Sequence, residues 1–108
     1  MGWRLWLDDD LDNPLADEWR HTPEGFLGAK TSAEAIALVQ EHGLPDYMDL
    51  DFDLGMINGK IDTAEVFLKW LEANYHDAPP EHHTHSRNNQ GAPWIDSWMD
   101  SWRRSLDL

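Results

Sequence analysis

Two short apolar runs in this sequence each end in acid. Trp3-Arg4-Leu5-Trp6-Leu7 stops at Asp8 and Asp9, and the run from Asp46 to Leu50 stops at Asp51 and Asp53. If these runs are neighbouring strands, four carboxylates converge at their ends. Like charges that close cost free energy unless a cation bridges them or one carboxylate takes a proton. Ligands made only of oxygen suit Mg²⁺ or Mn²⁺. Asp8, Asp9, Asp51 and Asp53 are therefore the candidate metal ligands and water activators, with Asp51 as the candidate catalytic carboxylate. The plain alternative is that loop aspartates cap helices and turns.

A second constellation is His82-His83-Thr84-His85-Ser86. On a strand, His83 and His85 face one way while His82, Thr84 and Ser86 face the other. His85 and Ser86, at the strand end, can reach the carboxylates, and a nearby Asp favours imidazolium, so His85 is a candidate acid–base group. A carboxylate–histidine zinc site is also chemically possible. His82 and His83 fit an exposed edge strand after Pro79-Pro80. Cations near the proposed site are few: Arg87 and Lys60 can each hold a phosphate oxygen, although the Asn-Gly-Lys turn makes Lys60 a solvated surface group.

The elements that must position these groups follow from patterning. Strands are expected over Trp3–Leu7, Phe26–Lys30, Asp46–Leu50 and Glu81–Ser86, with a long loop from Asp8 to Gly25 holding at most a short helical turn. Thr31-Ser32-Ala33-Glu34 and Asp62-Thr63-Ala64-Glu65 both read as capping boxes. The first opens a helix stopped by Gly43. The second opens a helix with Val66, Phe67, Trp70 and Leu71 on one side, after a turn-rich stretch through Asn58-Gly59. Gly91-Ala92-Pro93 opens a last helix carrying Trp94, Ile95, Trp98, Met99, Trp102 and Leu106. Its tryptophan stripe reads as core packing, with a homodimer face as the second option. Strands alternating with helices imply parallel pairing by right-handed crossovers, with ligands at the carboxyl ends of the strands. Asp49 is awkward in this scheme, because a central parallel strand is normally apolar on both faces. Asp49 must be paired, or its face less covered.

Composition sets the bounds. The chain has 108 residues, 21 acids against 8 Lys plus Arg, and a net charge of −13. That length supports a single domain over 1–108, the Trp-rich helix of about 93–106 included. The charge argues against duplex DNA and anionic membranes, while 41% hydrophobic residues and seven tryptophans exclude a disordered acidic tail. No cysteine is present, which excludes disulfides and thiolate chemistry. The N-terminus has no signal-peptide pattern, so a cytoplasmic protein is expected. Asp8–Glu18 holds six acids and Asp46–Asp53 holds four, with no base in either segment, so most of the charge sits at the two predicted strand ends.

In this order, Trp3 to Asp9, Leu50-Asp51-Phe52-Asp53-Leu54-Gly55 and His85-Ser86-Arg87-Asn88 resemble the motifs of the cyclic-phosphate-processing receiver-like family, relatives of response-regulator receivers. The resemblance spans residues 3 to about 90. It implies a three-layer, receiver-like (flavodoxin-like) α/β fold, four parallel strands in the order 2-1-3-4 with helices on both faces, and a site of Asp8, Asp9, Asp51, Asp53, His85, Ser86 and Asn88. Phe52 stands where the family usually has His, and Asn89 where Pro is usual. Phosphorelay signalling is not expected, since no lysine follows the Ser86 strand.

The expectation is a phosphoesterase dependent on Mg²⁺ or Mn²⁺, acting on a cyclic phosphate of a small nucleotide or RNA terminus. Asp51, His85 and Ser86 would be catalytic, with Arg87 and Asn88 on the phosphoryl group. The rivals are a degenerate receiver that binds a nucleotide or protein partner without catalysis, and an acidic mimic of nucleic acid. A mimic spreads its carboxylates, whereas this chain concentrates them.

Overall fold

The computed structural model describes residues 2–86 and 88–106. In chain order its elements are β1 (Arg4–Leu7), a 3-10 turn (Glu18–Arg20), β2 (Phe26–Ala29), α1 (Ser32–His42), β3 (Tyr47–Leu50), β4 (Asp53–Ile57), β5 (Lys60–Thr63), α2 (Ala64–Asn74), β6 (Glu81–Thr84) and α3 (Gly91–Ser105). Four strands pair in parallel in the order β2-β1-β3-β6. This is the expected order, with β6 as the fourth parallel strand. The architecture is α/β with the receiver-like strand order, but the three helices pack together on one face of the sheet, so a loop takes the place of the expected third layer.

The two faces of the sheet differ, and the difference builds the site. Register aligns Ala29, Leu7, Leu50 and Thr84 in one row, and Gly28, Trp6, Asp49 and His83 in the row before it. Side chains alternate along strands, so these rows point to opposite faces. Leu5, Leu7, Met48 and Leu50 are fully buried in one cluster with Val39 of α1, Phe67, Leu68 and Leu71 of α2, and Ile95, Met99 and Trp102 of α3. Burying each such side chain is worth about 1.5–3 kcal/mol. The opposite face carries Trp6 and Asp49. The loop between β1 and β2 covers it, and the Trp6 indole donates to the Arg20 carbonyl at 2.9 Å. That connection holds only the 3-10 turn, so polar groups survive on this face. Asp49 is the first example: its face is less covered, and it is also paired.

Several expectations change in detail. The stretch expected to be turn-rich forms an antiparallel hairpin of β4 and β5. Its tip is Asn58-Gly59, both at positive φ (53° and 78°), a left-handed pair that suits a tight hairpin turn. Asp62 does not cap α2. Thr63 takes that place, accepting from Glu65 N at 3.3 Å. Asp62 is buried and reaches α1 instead, accepting from Ser32 N at 2.9 Å and from the Ser32 hydroxyl. At α1, Thr31 accepts from Glu34 N as a capping box requires, but the Glu34 carboxylate reaches Lys30 N rather than Thr31 N.

The buried stripe of α2 is Ala64, Phe67, Leu68 and Leu71, and Val66 faces outward. Four residues at i, i+3, i+4 and i+7 outcompete the stripe drawn through Val66. On α3, Trp102 is buried, Trp94 and Trp98 stack at 5.3 Å against the core, and Leu106 is exposed. Phe52 packs edge-on to Trp94 and against Gly91, where a Cβ would come within 2.4 Å of its ring. Phe52 and Gly91 together seat α3. Among the described residues, no helix is long and apolar enough to cross a membrane.

Candidate functional site

Alternation delivers the acids to one place. Asp8 lies two residues beyond Trp6 and Asp51 two beyond Asp49, so both continue the loop-covered face past the strand ends. Arg20, from the 3-10 turn, inserts among them. Its Nε and Nη2 donate to the two Asp8 oxygens at 3.0 and 2.7 Å, a bidentate fork. Nη1 donates to Asp10 at 2.6 Å, and Nη2 also reaches Asp9 at 3.1 Å and Asp51 at 2.7 Å. One guanidinium thus meets four carboxylates.

His85 completes the cluster from β6. Its Nδ1 lies 2.6 Å from Asp49 and its Nε2 3.0 Å from Asp8, and the ring stacks on Trp6 at 4.1 Å. Burial opposes its charge, but the bonds to Asp49 and Asp8 win and hold its pKa above the ordinary histidine value. Two carboxylate partners require both ring nitrogens to donate, so this is an imidazolium. The Asp8 carboxyl is likewise drawn below its usual range, because bonds from His85 and Arg20 outweigh the effect of burial.

Asp51 goes the other way. Buried, and facing the charge of Asp8, its carboxyl is pushed up to about 6 despite Arg20 and His85. Asp9 is raised as well, by burial and by Asp10. Five carboxylates (Asp8, Asp9, Asp10, Asp49 and Asp51) share two cations in this cluster. Burial lifts Asp51 and Asp9, and the remaining negative charge adds to it.

Beside this cluster opens a crevice of about 250 Å³, lined by Asp9, Trp19, Arg20, Asp51, Asp53, Gly55 and Asn88. Gly55 has φ +79°, a left-handed conformation that favours glycine, and a Cβ there would lie 3.3 Å from an Asp9 oxygen, a tight contact. Three carboxylates line the crevice, and among the described residues Arg20 is the only cation there. Oxygen atoms of Asp8, Asp9 and Asp10 lie within 4.8 Å of one another. An all-oxygen donor set with surplus negative charge fits a hard divalent cation. Both oxygens of Asp8 are already taken up by Arg20, His85 and the Asp10 amide, and the carboxylates that line the crevice are those of Asp9, Asp51 and Asp53, each with one oxygen bonded to Arg20 or Asn88.

The expected site residues divide accordingly. Asp9, Asp51, Asp53 and Asn88 line the crevice, and Asp8 lies buried behind it. His85 touches Asp8, but its side chain is only 6% exposed. The Ser86 hydroxyl accepts from Asn88 N at 3.1 Å. Asn88 Oδ1 accepts from Gln90 N and Gly91 N, and its Nδ2 donates to Asp53 at 3.0 Å. Arg87 lies outside the described residues. Lys60 sits exposed beside the hairpin tip. His83 is exposed and reaches Asp49, while His82 is half-buried and reaches Asp96.

Sequence reasoning missed Arg20, Trp19 and Asp10. A signal for Arg20 existed: it is the first base after Arg4 and follows directly on the six-acid segment. A family model described as a cyclic-phosphate processing receiver domain matches residues 3–101. No curated protein and no solved structure matches the chain.

Proposed function

The chain belongs to the cyclic-phosphate processing receiver domain family, and from that premise we propose that it hydrolyses a cyclic phosphate on a nucleotide or RNA end within the crevice. The observation that carries this reading is the lining itself: three carboxylates at one mouth, with the Asp51 carboxyl pushed up to about 6. Such a surface repels a phosphate anion unless a divalent cation lies between them. In this reading Asp9 and Asp53, with Asp51, would hold Mg²⁺ or Mn²⁺. The cation would neutralise the phosphate charge and lower the pKa of water.

The chain's own residues supply the rest. In hydrolysis a water oxygen bonds to phosphorus, one ring ester bond breaks, and the water proton ends on the freed sugar oxygen. Asp51 is the carboxyl in the crevice best matched to pass that proton near neutral pH. Arg20 holds Asp8, Asp9, Asp10 and Asp51 in place. His85 has both nitrogens on carboxylates, so we assign it to positioning Asp8 and balancing its charge rather than to protonating the leaving oxygen. Asn88 aims Asp53.

The test is turnover of 2′,3′-cyclic nucleotides by wild type and Asp51→Ala, with thermal shifts in Mg²⁺, Mn²⁺ and Zn²⁺. Asp51→Ala should fold and lose activity; unchanged turnover would sink the reading. A second reading, a module that binds without catalysis, is favoured by one observation: Arg20 already places a positive charge among four of the acids. Retained ligand binding with no turnover in any of the three metals would select it.

A further inference from the structure

Among the described residues, Trp19 is the only side chain with a ring in the lining of the crevice. It stands at the middle of the 3-10 turn, and 43% of its surface is exposed. An indole left half in water beside a crevice of carboxylates adds nothing to holding a cation or moving a proton. Its geometry suits something else. A ring prepared for stacking must be both exposed and held still.

The ring is held through its neighbours. Arg20, the next residue, is anchored by its guanidinium in the four carboxylates and by its carbonyl on the Trp6 indole. The turn is closed by Arg20 N on Asp17 O at 2.9 Å and His21 N on Glu18 O at 3.0 Å. The guanidinium carbon lies 5.9 Å from the Trp19 ring centre, and the His85 ring meets it edge-on at 6.0 Å. An ordered aromatic costs little entropy to use. Base stacking on such a ring is sequence-tolerant, because every base has a π-face.

We propose that Trp19 is the specificity-determining residue of this site: a stacking wall for the nucleobase of a nucleoside cyclic phosphate whose phosphate enters among Asp9, Asp51 and Asp53. This rests on the reading of the crevice as a cyclic-phosphate site and names what that reading leaves open, the group attached to the phosphate. At about 250 Å³ the crevice is at the small end for ligand sites, so it is matched to a single nucleotide unit. Recognition by stacking alone also implies that purines outrank pyrimidines, with no single base required.

The experiment pairs two probes, 2′,3′-cyclic AMP and the base-free glycerol 1,2-cyclic phosphate, with wild type, Trp19→Leu and Trp19→Phe in Mg²⁺. Affinity is read by calorimetry, and KM and kcat by phosphorus NMR. Wild type should bind the nucleotide on the order of tenfold or more tighter than the base-free probe. Trp19→Leu should erase that margin through KM, with kcat and the base-free affinity unchanged, and Trp19→Phe should keep most of it. Equal weakening of both probes by Trp19→Leu, or of neither, overturns the proposal, as does failure of wild type to bind the nucleotide. If the base-free probe is hydrolysed and Trp19→Leu is indifferent to the base, stacking falls while the phosphoesterase reading stands. If the nucleotide binds through Trp19 but neither probe turns over, stacking stands and the phosphoesterase reading falls.

Discussion

The imidazole of His85 lies flat on the indole of Trp6, with ring centres 4.1 Å apart and planes within 4°. The stack aims each ring nitrogen along a fixed line, one at Asp49 and one at Asp8, and an aromatic face beneath an imidazolium favours its charge. His85 is therefore a buried cation supported from three sides.

His85→Gln should cost about 2 kcal/mol at pH 6, as loss of charged hydrogen bonds does. The folded-state pKa of His85 is raised, so its contribution is complete below the unfolded value of about 6.5 and is lost as pH rises through the folded value. Urea melts of both proteins from pH 6 to pH 10 should show the gap closing. A gap that stays constant over that range contradicts the imidazolium.

Asp51→Asn should separate stability from function. The folded-state pKa of about 6 lies above the ordinary aspartate value of 3.8, so ionising Asp51 penalises the folded state increasingly from about pH 4 to pH 6, and steadily above that. The variant should be more stable than wild type by on the order of 2 kcal/mol at pH 8, and no different below pH 3.5. It should also be inactive. A stability difference independent of pH would remove the charge argument.

Arg20→Ala leaves Asp8, Asp9, Asp10 and Asp51 without their shared guanidinium. The metal-free variant should lose about 3 kcal/mol. Millimolar Mg²⁺ should restore more melting temperature to the variant than it adds to wild type, because a cation can then occupy the place of Arg20. Arg20→Lys should recover little, since a point charge lacks the fork. Equal Mg²⁺ responses in variant and wild type would argue that the cation binds elsewhere.

Asp62→Ala removes the carboxylate that satisfies Ser32 N and the Ser32 hydroxyl. The expected loss is about 2 kcal/mol, with turnover per folded molecule unchanged because Asp62 lines no part of the crevice. A parallel loss of kcat would show that α1 and the site are coupled.

The parts legible in the sequence were those set by short-range patterns. The capping hydroxyl of Thr31, the stop at Gly43 and the strand-end acids all follow from neighbours a few residues apart, while the strand order came with the family resemblance. The parts that were not legible depend on chain returning from a distance. Arg20 sits 31 residues before Asp51, and nothing local says that a loop cation will fold back over a sheet face. Asp62 matches a local capping box well, yet a free helix terminus 30 residues earlier claims it. Asn58-Gly59 is a hairpin signal, but the exposed β-strands around it alternate too weakly to stand out from a loop. His85 was correctly brought to the carboxylates. Its engagement at both nitrogens required knowing that Asp49 shares its face.

Asn88 has a consequence for how this protein can vary. Its Oδ1 receives the amides that begin α3, while its Nδ2 holds Asp53 at the crevice mouth. One amide group therefore serves as both the starting mark of a helix and the aiming device of an acid. Inserting or deleting a residue between 88 and 91 would shift the helix start and the direction of Asp53 together. This short surface segment, where length changes are ordinarily cheap, is held to a fixed length.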